Sequence, residues 1–193
     1  MEKNKINLRL GILLGIVSFA TLSRIAMPPL LGHPTNFSPI NAIALFSGCY
    51  FAGKIQKFII PLLSVWVGDL FIDYIYTQKF ILFYSGFYWQ YGLYIVMVLI
   101  GILLSNKVKP LNLLAASFSS SVLFFIVTNF GVWMGSGMYP DNAIGLAACY
   151  TAAIPFFSST LLSDILYSTL FFGAFELMQR KIPGLAINYQ PQR

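Results

Sequence analysis

Long apolar runs separated by short, basic turns decide what this chain can fold into. A helix needs about 20 consecutive apolar residues to cross the ~30 Å hydrocarbon core of a bilayer. The runs at 8–27, 58–76, 87–104 and 111–134 are each read as long enough. The run at 39–53 is short for a straight span, and the last, Ala143 to Leu177, is too long for one and contains Pro155. That last run is read as an interfacial or re-entrant piece at 143–152 followed by a span at 155–178. Water is the wrong solvent for such a chain: 58% of its residues are hydrophobic and only 9% charged, where a soluble domain carries about 25% charged residues. The alternating strands of a β-barrel, each about ten residues long, are absent. The expected fold class is all-α, a single polytopic membrane domain built as a bundle of about six transmembrane helices.

The first run follows Lys3, Lys5 and Arg9, as the apolar segment of a secretory signal does,. No small-x-small cleavage site follows it, and it stops at Pro28-Pro29, so it reads as a retained helix. Ser38 is the expected N-cap of the second helix, with Pro39 at its first helical position. Threading six spans puts Lys3, Lys5, Arg9, Lys54, Lys57, Lys107, Lys109, Arg180, Lys181 and Arg193 on one side. The positive-inside rule makes that side cytoplasmic, with both termini there. Topogenic placement, not nucleic-acid binding, accounts for the net charge of +6,. Cys49 and Cys149 fall near opposite faces and are expected not to bond to each other. No internal repeat supports an inverted-repeat transporter, and the polar tail 188–193 is expected to be mobile.

Ionisable groups inside a bilayer cost at least about 2.5 to 3.5 kcal/mol each, so those present need partners or water. Arg24 falls near the outer end of the first span, Asp69 and Asp73 in the outer half of the third, and Asp164 a third of the way down the sixth. Asn129 and Trp133 fall at similar depth. Two readings stay open. One is a polar cavity open to the outside, in which Arg24 clamps an anionic group or spare carboxylates hold a cationic one. The other is an ion pair between Arg24 and an aspartate that holds helices in register, with Asp73 reaching for the interface. Asp69 and Asp164 are the better site candidates, because Asp73 lies close to water.

The first outer loop, LGHPTNFSPIN at 31–41, holds the only histidine, His33, and is either a lid or a packed connection,. One histidine does not make a zinc site, and HExxH and CxxC are absent, so no metal or other cofactor is expected. Gly135-Ser136-Gly137 invites an intramembrane protease reading, but no base lies within reach of Ser136. Its glycines suit a flexible outer loop instead. Gly11, Gly15 and Ser18 form a small-residue face on the first span, for close helix approach within the bundle or onto a partner subunit.

The stretches NFSPINAIALFSGCYFA at 36–52, TNFGVWMGSGMYPD at 128–141 and GLAACYTAAIPFFSSTLLSDILY at 145–167 look like the hallmark segments of a family of uncharacterised bacterial six-span membrane proteins. That resemblance covers most of the chain, and it implies a place in a bacterial cytoplasmic (inner) membrane. More distantly, the six helices, the cytoplasmic N-terminus and the structured outer loops resemble the substrate-binding S components of energy-coupling-factor (ECF) vitamin transporters. An S-component-like fold implies a subunit that captures a small vitamin-like molecule from outside. It would use loops one, three and five and the outer ends of helices four to six. Such a subunit reorients when coupled to an ECF-type transmembrane subunit and two ATPases, and the small-residue face of its first helix docks that partner. This chain has no ATP-binding loop and no substrate-specific motif of an S component, so energy would come from partners.

The expected activity is therefore substrate binding or transport without catalysis. Its pocket is placed near Asn36, Phe37, Asp69, Asn129, Trp133, Tyr139 and Asp164, with Arg24 as ion pair or anion clamp. Trp133 and Phe37 would stack on a ring, Asn36 and Asn129 would exchange hydrogen bonds, and the acids would fix charge or pair with Arg24. The main rival is a structural or assembly protein without a small-molecule ligand. An integral membrane enzyme comes third, since Asp69 and Asp164 are the only acid–base candidates.

Overall fold

A computed structural model of the chain describes residues 2–31, 36–105, 107–182 and 185. His33 and the tail 188–193 lie outside the described residues. The apolar runs form six helices: α1 (Glu2–Leu31), α2 (Ile40–Tyr50), α3 (Lys54–Thr77), α4 (Phe87–Leu104), α5 (Pro110–Gly135) and α6 (Ala143–Lys181). Five of them are long and apolar enough to cross a membrane, and no strand occurs among the described residues.

The exception is α2, and it organises the others. Its 11 residues give a helix of about 16 Å, roughly half the depth of a hydrocarbon core. Every one of them is buried, because α1, α3, α4, α5 and α6 all pack against it. Small residues on α2 and α4 make that enclosure possible. A Cβ on Gly48 would lie 2.1 Å from the Val98 carbonyl oxygen, and one on Gly101 would lie 2.2 Å from that of Leu45. The two backbones therefore touch at two points one helical turn apart. The run expected to span at 39–53 is thus a buried half-length helix entered through irregular chain. Ser38 does not cap it: Pro39 occupies the cap position at φ −79° and ψ 4°, no side chain caps the helix, and the Ser38 hydroxyl has no partner. Starting at Ile40 leaves Ser38 one residue too early to reach the first free amides.

α6 corrects a second expectation. It is one continuous helix of 39 residues through Pro155, so 143–152 is its first part and not a separate interfacial or re-entrant piece. A proline removes one backbone donor, while packing of α6 along α5 supports the axis around it. Pro61 is tolerated inside α3 in the same way. The helix opens where the Asn142 side chain accepts a hydrogen bond from the Gly145 amide at 2.9 Å, an N-cap of the favoured type.

Consecutive helices alternate in direction. Arg9 of α1 donates to the Tyr50 carbonyl at the end of α2 (3.0 Å) and to Gln179 near the end of α6 (3.4 Å). The Tyr50 hydroxyl donates to Glu176 at 2.6 Å. These contacts gather the start of α1 and the ends of α2 and α6 at one end, here called basal, where Lys54, Lys57, Arg180 and Lys181 also lie. Cys49 near that end and Cys149 in the opposite half of α6 are both buried and free.

Polarity is inverted relative to a protein in water. Phe19, Leu22, Leu63, Phe71, Leu103, Phe118 and Leu162 are exposed, whereas Asn41, Ser117, Ser120, Ser121, Thr160, Ser163, Asp164 and Ser168 are buried. Hydrocarbon is the solvent that suits apolar outer faces and polar contacts between helices. The chain is a helical membrane protein.

Candidate functional site

Three adjoining cavities open at the distal end of the bundle. The first, about 180 Å³, is walled by Arg24, Asn36, Phe37, Asn41, Gln90, Tyr94, Phe124 and Thr160, among others. The second, about 290 Å³, shares Asn36, Gln90, Phe124 and Thr160 with it and adds Asn129 and Phe157. The third, about 230 Å³, lies between the start of α4 and the end of α5 and shares Gln90, Thr128 and Val132 with the second. Gln90 alone belongs to all three. Taken together they reach the ~300–1,000 Å³ range of small-molecule sites.

Three hydrogen-bonded groups frame this space. The first is the ion pair of Arg24 Nη2 with Asp69 Oδ1 at 2.5 Å, both side chains being little exposed (13% and 11%). Tyr91 donates its hydroxyl to the other Asp69 oxygen at 2.7 Å, and Arg24 Nη1 donates to the Val65 carbonyl at 3.4 Å. Gly68 makes room for the guanidinium, since a Cβ there would stand 2.6 Å from Arg24 Nη1. Arg24 thus reaches the cavity wall with its charge already matched.

In the second group Gln90 Oε1 accepts from the hydroxyls of Tyr84 (2.7 Å) and Tyr94 (3.2 Å). Burial raises the pKa of the Tyr84 phenol, and the nearby Asp69 charge adds to the rise, so Tyr84 stays a neutral donor. The third group ties α2, α5 and α6 together: Asp164 Oδ2 accepts from Asn41 Nδ2 at 2.8 Å and from Ser121 Oγ at 2.6 Å. Asp164 is wholly buried.

The expected site residues divide among these groups. Asn36 and Phe37 line the first cavity, and the Phe37 ring centroid lies 5.8 Å from that of Tyr167. Asn129 lines the second cavity, while its Nδ2 is committed to the Phe125 carbonyl at 2.7 Å. Trp133 and Tyr139 line none of the three: the Trp133 Nε1 donates to the Pro140 carbonyl at 3.0 Å, and Tyr139 is half-buried in the turn beyond α5. Asp69 stands behind Arg24, and Asp164 sits one helical turn past Thr160. The carboxylates therefore do not converge on one point.

A family model described as a family of unknown function (DUF6580) matches residues 4–185. The chain belongs to the DUF6580 family. No curated protein and no solved structure matches it. The DUF6580 match runs from the first turn of α1 to just past the end of α6, so the cavities and all three polar groups lie inside the family's own region.

Within this DUF6580 chain the sequence reading missed Gln90, Tyr94, Asn41, Ser121 and Thr160. All are neutral, and charge alone does not single them out. The available signal was an amide in the first turn of an aromatic-rich span, FYWQYGLY at 87–94. Gln90→Leu leaves the hydroxyl of the buried Tyr94 without its acceptor, a loss of about 1 to 3 kcal/mol. Thermal unfolding in detergent should show that loss, and adding Tyr94→Phe should recover part of it. Equal melting of Gln90→Leu and wild type would remove Gln90 from the framework.

Proposed function

We propose that the distal cavities bind a small, uncharged, ring-bearing molecule of vitamin-like size, taken from the outside, and that the chain works as an S-component-like uptake subunit without catalysis of its own. The observation that carries this reading is the convergence of three cavities on Gln90 with no unmatched charge in their named walls, since Arg24 is paired with Asp69. Asn36, Gln90 and Thr160 offer amide and hydroxyl contacts, and Phe37 and Phe124 offer ring faces,. An anionic ligand would have to compete with Asp69 for the guanidinium, which favours a neutral one.

The cations gathered at the basal end favour a cytoplasmic position for it, which would turn the cavities outward across a bacterial inner membrane. Energy would come from a transmembrane subunit with ATPases. The face suited to that subunit includes Gly11 and Gly15, where an added Cβ would meet no other atom within 4 Å. Beside Gly15 runs an apolar groove with Ile12, Phe19, Leu170 and Ala174.

The test is native mass spectrometry of the purified protein, followed by return of any released molecule in a thermal-shift assay. A defined metabolite that raises the melting temperature is expected. Asn36→Ala, at an exposed position, should weaken its binding about tenfold through loss of roughly one hydrogen bond, with the apoprotein's melting temperature unchanged. A protein that carries no metabolite and responds to none in a broad vitamin and metabolite panel would favour the assembly role instead.

A further inference from the structure

Asp164 is a fully buried carboxylate with no basic partner: the one ion pair among the described residues is Arg24–Asp69. Burying an isolated charge costs several kcal/mol unless an opposite charge and hydrogen bonds offset it. Asn41 and Ser121 both donate to Oδ2, and Oδ1 has no partner at all. The amide oxygen of Asn41, in a side chain only 4% exposed, is likewise unpartnered. With its Nδ2 fixed on Asp164, that oxygen belongs to a planar group already anchored at the carboxylate.

More orphaned oxygens lie on the same helix faces. Ser117 precedes Ser121 by one turn of α5, Ser120 adjoins it, and Ser168 follows Asp164 by one turn of α6. All three are buried, and none of their hydroxyls has a partner. Unmatched oxygens on the buried carboxylate, on its Asn41 partner and within a helical turn of Ser121 and Asp164 along α5 and α6 are an anomaly in a protein interior, where most buried polar atoms are paired,.

We propose that Asp164, Asn41 and Ser121, with the neighbouring serine hydroxyls, form a binding site for a sodium ion. The donors are all oxygen, the set that hard cations take. One carboxylate balances one positive charge, which fits a monovalent ion better than calcium or magnesium. A proton would satisfy a single oxygen, whereas a metal cation takes several. The first distal cavity reaches the edge of this group: Asn41 and Thr160 line it, and Asp164, itself fully buried, lies one turn beyond Thr160. Binding would draw α2, α5 and α6 together and fix Asn41 in the cavity wall, giving sodium a hold on the shape of that cavity. The site stands independently of whether the cavity takes an organic ligand.

The experiment uses the full-length protein in detergent with sodium alone as probe. Melting is followed in sodium, potassium and choline chloride at equal ionic strength, at mildly acid and mildly alkaline pH, with radiosodium binding measured in parallel. A saturable rise in melting temperature specific to sodium is expected, with bound radiosodium displaced by excess unlabelled sodium. Asp164→Asn should abolish both effects. Ser121→Ala, which keeps the carboxylate, should weaken sodium binding about tenfold and so keep the test open if the asparagine variant fails to fold. Identical melting in all three salts, equal responses to sodium and potassium, or a dependence on pH alone would overturn the assignment. So would a full sodium response in folded Asp164→Asn.

Discussion

Gly101→Ala is expected to remove about 3 kcal/mol of stability, the upper end of overpacking costs, because the added methyl group meets a backbone carbonyl and not a side chain that can turn away. The new carbon would stand 2.2 Å from the Leu45 oxygen, and the matching change Gly48→Ala would place one 2.1 Å from the Val98 oxygen. Either variant has to push α2 away from α4. α2 is enclosed on all sides, so that shift carries through its contacts with the other helices. Aggregation during size-exclusion chromatography or a melting temperature many degrees lower is the expected readout. Gly11→Ala and Gly15→Ala provide the contrast: nothing lies within 4 Å of either added carbon, so each should keep the wild-type stability or raise it by up to about 1 kcal/mol, alanine being the better helix former. Wild-type melting of Gly101→Ala would show that the two backbones do not touch there.

That contrast removes one of the two uses that spacing suggests for the first helix, packing within the bundle. Gly11, Gly15 and Ser18 have the four- and three-residue intervals of a packing face, yet both glycines lie on an open surface. The glycines that bring helices into contact are single ones on different elements, and their pairing exists only once α2 has docked. Length and hydropathy were enough to find α3, α4 and α5, because a bilayer requires the same run from any spanning helix. They could not distinguish a short span from the buried half-length α2, whose composition is equally apolar. Nor could they foresee α6 continuing through Pro155, since support from α5 is a tertiary effect. In the site, the price of intramembrane charge pointed to Arg24, Asp69 and Asp164. It was silent about Gln90, Asn41 and Ser121, whose weight comes from the atoms they face.

Arg24→Leu is expected to cost about 3 to 5 kcal/mol, because it leaves the Asp69 carboxylate in a largely buried position without its counter-charge. Asp69→Leu should cost a similar amount by stranding the guanidinium, and it also removes the acceptor of the Tyr91 hydroxyl. The double variant Arg24→Leu with Asp69→Leu should be less damaged than either single one, since no unpaired charge remains and leucine suits the surroundings. Unfolding of all three forms completes a double-mutant cycle, and a coupling energy near zero would show that the pair is not a unit. The same proteins separate the two readings of Arg24. If the guanidinium clamps an anionic ligand, the double variant loses binding as completely as Arg24→Leu does. If the pair is closed upon itself, the double variant regains affinity along with its fold, because the contacts supplied by Asn36, Gln90 and Phe37 are still in place. Recovery of stability without recovery of binding would therefore make Arg24 a ligand contact and the bound molecule an anion.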